Sequence, residues 1–320
     1  MNFAFYAVTK LLSHSMPELP DVVVYIEALE ERVLNQAIQK IRIGSPFVVR
    51  SFDPPIREAE GKEVLRLSRI GKRIVFELED ELFLVVHLMI AGRFYWKPSG
   101  ATIARKYGLA AFDFAKGTLL LTEAGSKKRA SLHLVRGAKA LQALDPKGLE
   151  VFDADLDAFR ETLTRENHTL KRALTDPHLF SGIGNAYSDE ILHRARLSPV
   201  QLTARLKHSD IEVLYKSARD TLTEWIERLR RERGKSFPEH VTAFRKEMAV
   251  HGRYGKPCPV CGSPVQRIVH AENETNYCAR CQTGGKLLAD RSLSRLLKQD
   301  WPKSLEEMEE MKEQKRYGVS

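Results

Sequence analysis

The four cysteines of this chain, Cys258, Cys261, Cys278 and Cys281, all fall in one stretch, CPVCGSPVQRIVHAENETNYCARCQ. They form two C-x2-C knuckles separated by sixteen residues. Each knuckle can turn two thiolates onto one ion, and Gly262 gives the first the freedom to close. A tetrahedral Zn²⁺ takes four such sulfurs at about 2.3 Å. The intervening PVQRIVHAENETNY is long enough for a β-hairpin turning near Glu272-Asn273-Glu274. The rivals are two disulfides or a redox-active C-x-x-C. The opening FAFYAVTKLL has neither the basic start nor the small-residue cleavage site of an export signal, so structural zinc in a cytosolic protein is the preferred reading. Four thiolates leave zinc no open position for catalysis. The metal's task is then to hold a hairpin rigid, and His270 reads as a hairpin residue rather than a fifth ligand.

A chain of 320 residues with 43% hydrophobic and 29% charged residues describes a globular protein of two or three domains. No apolar run approaches the ~18 residues of a membrane helix. Lysine and arginine number 51 against 42 acidic residues, a net charge of +9. That balance steers a protein toward polyanions, nucleic acid first.

Upstream of the cysteines lies NHTLKRALTDPHLFSGIGNAYSDEILHRARLSP. Leu170, Ala173 and Leu174 mark one amphipathic helix, and Ile191, Leu192 and Ala195 another. Between them fall two breaks, Asp176-Pro177 and Gly182-Ile183-Gly184-Asn185. Backbone N–H groups at the second helix start suit a phosphate, and Asn185 adds an amide beside Gly184, with Lys171, Arg172 and Arg194 nearby. Earlier in the chain, segments rich in Val, Ile, Leu and Phe alternate and break at Gly, Asp or Pro, with ELEDEL and FAKGT as hairpin turns. The fold class expected is α+β and multi-domain. An N-terminal β-sandwich with a leading helix spans 16–145, a helical domain with a helix-two-turns-helix 146–253, a zinc-ribbon hairpin 254–283, and a charged, solvated helical tail 284–320.

The leading helix follows Met16-Pro17-Glu18-Leu19-Pro20, which reads as a second chain start inside SHSMPELPDVVVYIEALEERV. An M-P-E-L-P opening, a β-sandwich, a G-I-G-N two-turn element and a four-cysteine hairpin, in that order from Met16 to about Gln282, resemble the formamidopyrimidine-DNA glycosylase/endonuclease VIII family. Leu19 places the resemblance closer to the formamidopyrimidine branch. It implies a base-excision repair glycosylase with abasic-site lyase activity, expected to be monomeric, acting on double-stranded DNA with damaged, oxidised bases or abasic sites. It also implies that the initiator Met is lost and that the exposed Pro17 amine is the nucleophile. An internal proline has only an amide nitrogen, so Met16 is expected to be the true start and residues 1–15 an over-extension. Glu18 matches the family's acid/base carboxylate and Lys72, in RIGKRIVFEL, its phosphate-contacting lysine. Asn185 matches the phosphate-binding asparagine, and Lys171 a basic position of the same domain.

Departures from the family pattern cluster where lesions are recognised. Asn273 stands where a hairpin-tip arginine is usual, and Glu272 and Glu274 beside it are expected to repel phosphate, so strand cleavage should favour β- over β,δ-elimination. EAGSKKRASL replaces the loop that supplies an arginine and an aromatic wedge, leaving Lys127, Lys128 and Arg129 as the candidate DNA contacts there. Ile90, with Met89 before it, holds the intercalating position, and Asp21 replaces a second glutamate. The alternatives are a DNA-damage or DNA-structure binding protein with reduced catalysis, and a zinc-ribbon nucleic-acid module without enzymatic activity.

Overall fold

A computed structural model describes residues 16–125, 127–239, 245–270, 273–288 and 302–317. The segment 1–15, expected to be an over-extended start, lies outside the described residues. Helix α1 (Leu19–Val33) begins in a reciprocal cap: the Glu18 carboxylate takes the N–H of Asp21, and Asp21 Oδ2 accepts the N–H of Glu18 at 3.0 Å. Pro20 sits in the first turn, where its missing N–H costs no intrahelical bond. Val22, Tyr25, Ala28, Leu29 and Val33 then form a fully buried stripe at helical spacing.

The chain divides into two units, the first comprising Met1–Glu150 and Leu222–Ala243. Its strands are β1 (Lys40–Ile43), β2 (Val64–Ile70), β3 (Arg73–Leu78), β4 (Leu82–His87), β5 (Gly92–Lys97), β6 (Gly108–Phe114), β7 (Gly117–Glu123) and β8 (Ser131–Arg136). They form two four-stranded sheets, ordered β1-β6-β7-β5 and β2-β3-β4-β8, with every adjacent pair antiparallel. Inward residues of both sheets, among them Phe94, Phe112, Leu119 and Leu121 with Ile74, Phe76, Leu84 and Leu132, share one core with α1. This is the expected sandwich. The turns are the ones read from the sequence. Glu79-Asp80-Glu81 joins β3 to β4 with Asp80 and Glu81 in the left-handed region, and Ala115-Lys116 joins β6 to β7.

A short helix α2 (Ala138–Gln142) precedes the second unit, Val151–Thr221 with Phe244–Ser320. Here α3 (Leu156–Thr164) is capped by Asp155, and α4 (Leu170–Thr175) by Thr169. Helix α5 (Asn185–Ala195) ends on Arg196 in the left-handed conformation. Helix α6 (His208–Arg233) follows. Its C-terminal half belongs to the first unit, a finer division than a single helical domain over 146–253. Arg230 and Arg233 pair with Glu27 and Glu31 of α1, and Phe237 packs 5.8 Å from Tyr25.

The hairpin β9 (Val265–His270) and β10 (Asn273–Cys278) leads into α7 (Ala279–Thr283), and α8 (Leu305–Tyr317) closes the described chain. Over its described end, Leu305–Tyr317, the tail is a helix, but it is not solvated all round. Leu305 and Met308 of α8 pack on Ile268, Tyr277 and Leu287, which joins the tail to the zinc hairpin.

Candidate nucleic-acid interface and metal centre

In the first unit Pro17 is buried directly before the α1 cap, and Glu18 and Asp21 are buried with it. Lys72 occupies the two-residue turn between β2 and β3. Ile70 pairs with Arg73 across it, and Gly71 takes φ +58° at the first turn position, as this tight hairpin requires. His87 pairs with Arg73 on β4. Burial, with Arg73, Lys72 and His133 around it, pushes His87 down to about 4. Its ring is therefore neutral near pH 7 and can donate an N–H beside a cationic turn, a combination suited to a phosphate oxygen. His87 went unread in the sequence because HLMIAG draws attention to Met89 and Ile90; the pairing with Arg73 is what sets it beside the lysine turn.

Of the basic triplet after β7, Lys127 and Arg129 are exposed, while the Lys128 ammonium reaches the Glu123 carbonyl and lies 5.5 Å over the Tyr107 ring. The buried Glu123 carboxylate holds the loop by accepting the backbone N–H groups of Arg129 and Ala130. Met89 takes φ +53° in the turn before β5, with Ile90 beside it, both half-buried.

In the second unit Gly184 is the N-cap of α5 and Asn185 its first residue. Asn185 donates an amide N–H to the Glu274 carbonyl of β10 at 2.9 Å, a bond that orients the carboxamide. Lys171 does not stand toward solvent as a simple phosphate contact. Its ammonium donates to the Asn185 carbonyl at 2.6 Å and pairs with the buried Asp189. The other Asp189 oxygen meets His251 Nδ1 at 2.8 Å and the Asn276 N–H at 3.1 Å. Glu190 accepts the N–H groups of Ala249, Val250 and His251. Burial raises its pKa, and those backbone N–H groups oppose the rise. Thus Asp189 and Glu190, which sequence reasoning passed over, clamp α5 to the residues leading into and along the zinc hairpin. Two adjacent acids on the second amphipathic helix, in YSDEIL, were the only trace.

The hairpin register pairs Asn273 with His270, so the two connecting residues are Ala271 and Glu272, which lie outside the described residues. Asn273 starts β10 rather than forming the apex. Glu274 is also not aimed outward. It is buried, 3.5 Å from Arg267 Nη1 and accepting from Asn276 Nδ2 at 3.1 Å, so its charge is answered internally. The expected repulsion of phosphate by Glu274 does not hold.

The four cysteine sulfurs lie within 4.8 Å of one another, with Cys261 and Cys278 3.4 Å apart and Cys258 and Cys281 3.9 Å apart. Sulfurs at about 2.3 Å from a tetrahedral ion would be separated by about 3.8 Å, whereas a disulfide needs about 2.05 Å. The site fits zinc and excludes the disulfide alternative. Gly262 at φ +75° lets its N–H reach the Cys258 carbonyl at 2.9 Å, closing the first knuckle. Metal analysis of purified protein should give one equivalent of zinc, and chelation should abolish DNA binding, because the hairpin holds Asn185. Undiminished binding after complete metal loss would contradict this.

A sandwich opened by a proline-led helix, a helix-two-turns-helix and a four-cysteine hairpin define a class of zinc-containing DNA glycosylases. Residues 16–130 match the formamidopyrimidine-DNA glycosylase N-terminal domain, 143–234 its H2TH domain, and 255–284 the zinc finger found in FPG and IleRS. The formamidopyrimidine-DNA glycosylase of Thermus thermophilus is 32% identical over 279 residues, 84% of this chain and 100% of that protein. An uncharacterized formamidopyrimidine-DNA glycosylase-like protein of Mycobacterium tuberculosis is 39% identical over 162 residues, 51% of this chain and 99% of its own. Among solved structures, a complex between the Lactococcus lactis Fpg and an abasic site containing DNA superposes with a TM-score of 0.74 at 29% identity, covering 83% of this chain and 99% of that one. The chain belongs to the formamidopyrimidine-DNA glycosylase family.

Proposed function

We propose that this chain is a base-excision repair enzyme that removes an oxidised base from double-stranded DNA and nicks the strand at the resulting abasic site, working in the bacterial cytoplasm on nucleoid DNA. The observation that carries the proposal is Pro17 immediately ahead of Glu18 at the buried α1 cap, in a chain that spans the full length of its glycosylase relatives. Once Pro17 begins the chain, its secondary amine attacks C1′ and the C1′–N glycosidic bond breaks, the base leaving with its electron pair and taking up a proton. Glu18 protonates O4′ as the sugar ring opens, giving an iminium between Pro17 and C1′. Loss of a C2′ proton then expels the 3′ phosphate. Lys72 and His87 contact phosphate beside the extruded nucleotide. Asn185, with the positive end of α5, grips the backbone, and Lys171 holds that helix start in place. Lys127 and Arg129 add contacts from the β7–β8 loop.

Structural zinc supplies no step of this chemistry; Cys258, Cys261, Cys278 and Cys281 would hold it to brace the hairpin against α5. Borohydride trapping on abasic DNA tests the proposal: an adduct on Pro17 supports it. Tight binding with no adduct, from every form of the chain, would leave a damage-binding protein instead. Binding should also weaken steeply with salt as phosphate contacts release counterions. Asn185→Ala should weaken binding about tenfold to damaged and undamaged duplexes alike, since a phosphate contact carries little information about the base. Gel-shift titrations on both duplexes check it, and a loss confined to one lesion would contradict the role.

A further inference from the structure

Asn185, Asp189 and His193 recur at every fourth position of α5 and so share one helical face. Asn185 meets the Glu274 carbonyl and Asp189 meets the Asn276 N–H, two residues further along β10. His193 completes the row: its Nε2 lies 3.3 Å from Sγ of Cys258, and the ring is buried at 6% exposure. Neither knuckle announces a partner 65 residues upstream in the sequence.

We propose that His193 is an outer partner of the zinc centre, donating Nε2–H to the Cys258 thiolate and so setting how long the site keeps its metal. A cysteine bound to zinc is a thiolate and can only accept, which fixes the direction of the bond and the tautomer of the ring. Zinc with four thiolates is a buried dianion, and Cys258 is itself among the buried ligands, 3% exposed. An N–H donor delocalises that charge away from sulfur and resists protonation and departure of the ligand. The same bond ends the polar row that starts at Asn185, so α5 grips phosphate at one end and metal-bound sulfur at the other.

The test uses the full zinc-loaded protein challenged with a competing chromogenic chelator. His193→Phe fills the space without a donor and should release zinc about tenfold faster, in line with the usual cost of losing an outer-sphere partner. His193→Gln retains an N–H donor and should recover part of the lifetime. In cobalt-substituted protein, the sulfur-to-metal charge-transfer band of His193→Phe should move to lower energy, a change that packing alone would not cause. Unchanged release together with an unshifted band would overturn the proposal. Should His193→Phe fail to fold, the native protein decides. With ¹¹³Cd in the site, the His193 Nε2–H proton should show scalar coupling to the metal through the N–H···S bond. An Nε2 without a proton, or a protonated one with no coupling, would equally overturn it.

Discussion

Protein whose chain begins at Pro17 should be trapped covalently on abasic-site DNA by borohydride on the order of a hundredfold faster than protein that keeps Met1. The expectation follows from amine availability. A free α-amino group with a pKa near 7.7–8.0 is roughly a tenth neutral at pH 7, whereas a lysine near 10.4 is only about 0.04% neutral. A proline inside a chain has an amide nitrogen with no lone pair to offer. Any trapping by the extended chain would therefore fall to a lysine, at that far lower neutral fraction. Blocking the Pro17 amine chemically is a sharper control than Pro17→Gly, which leaves another N-terminal amine in place. Mass spectrometry of the trapped peptide identifies the nitrogen. Equal trapping by an unprocessed chain would move the nucleophile to Lys72 and remove Pro17 from the mechanism.

Asp189→Ala should destabilise the second unit by about 3–5 kcal/mol, the cost of stranding a buried charge. The substitution leaves the Lys171 ammonium without its carboxylate and deprives the Asn276 N–H and the His251 ring of their acceptor. Urea unfolding followed by circular dichroism measures the loss. Adding Lys171→Met to Asp189→Leu should recover part of it, because a buried pair replaced by apolar side chains costs far less than half a pair left behind. Asp189→Asn should weaken DNA binding beyond what its stability loss explains, since Asn185 depends on the same hairpin. A change below about 1 kcal/mol for Asp189→Ala would mean that the clamp contributes little.

What the sequence revealed and what it hid follow the reach of the interactions. Gly71, Gly262 and the ELEDEL turn announce themselves because a tight turn is decided within a few residues. The four cysteines announce a metal because chelation fixes both residue type and spacing. Asp189, Glu190 and His251 were silent, since their partners lie some 60 residues apart and no local pattern distinguishes a clamp from a helix surface. Glu274 looked like an exposed tip acid, but the register sets it within β10, paired with Val269, and its carboxylate is buried beside Arg267. The tail misled for the opposite reason. LEEMEEMKEQ looks polar on every side, yet Leu305 and Met308, one turn apart, suffice to seat it once Ile268, Tyr277 and Leu287 offer a surface. Lys171 shows a subtler shift, because the charge was read correctly but its partner is a carboxylate within the fold.

The cap of α1 carries a consequence for how this protein can evolve. Glu18 closes the helix start with its backbone N–H on Asp21 and its carboxylate on the first turn, yet glutamate is not among the preferred residues for that position. Serine or aspartate would cap the helix better. Each would also shorten or remove the carboxylate proposed to protonate O4′ of the opening sugar. Variants selected only for heat resistance should therefore drift toward Glu18→Ser or Glu18→Asp and fall silent, while lineages under selection for repair must keep a second-best cap. The first turn of α1 is thus a place where folding stability and turnover compete for one side chain.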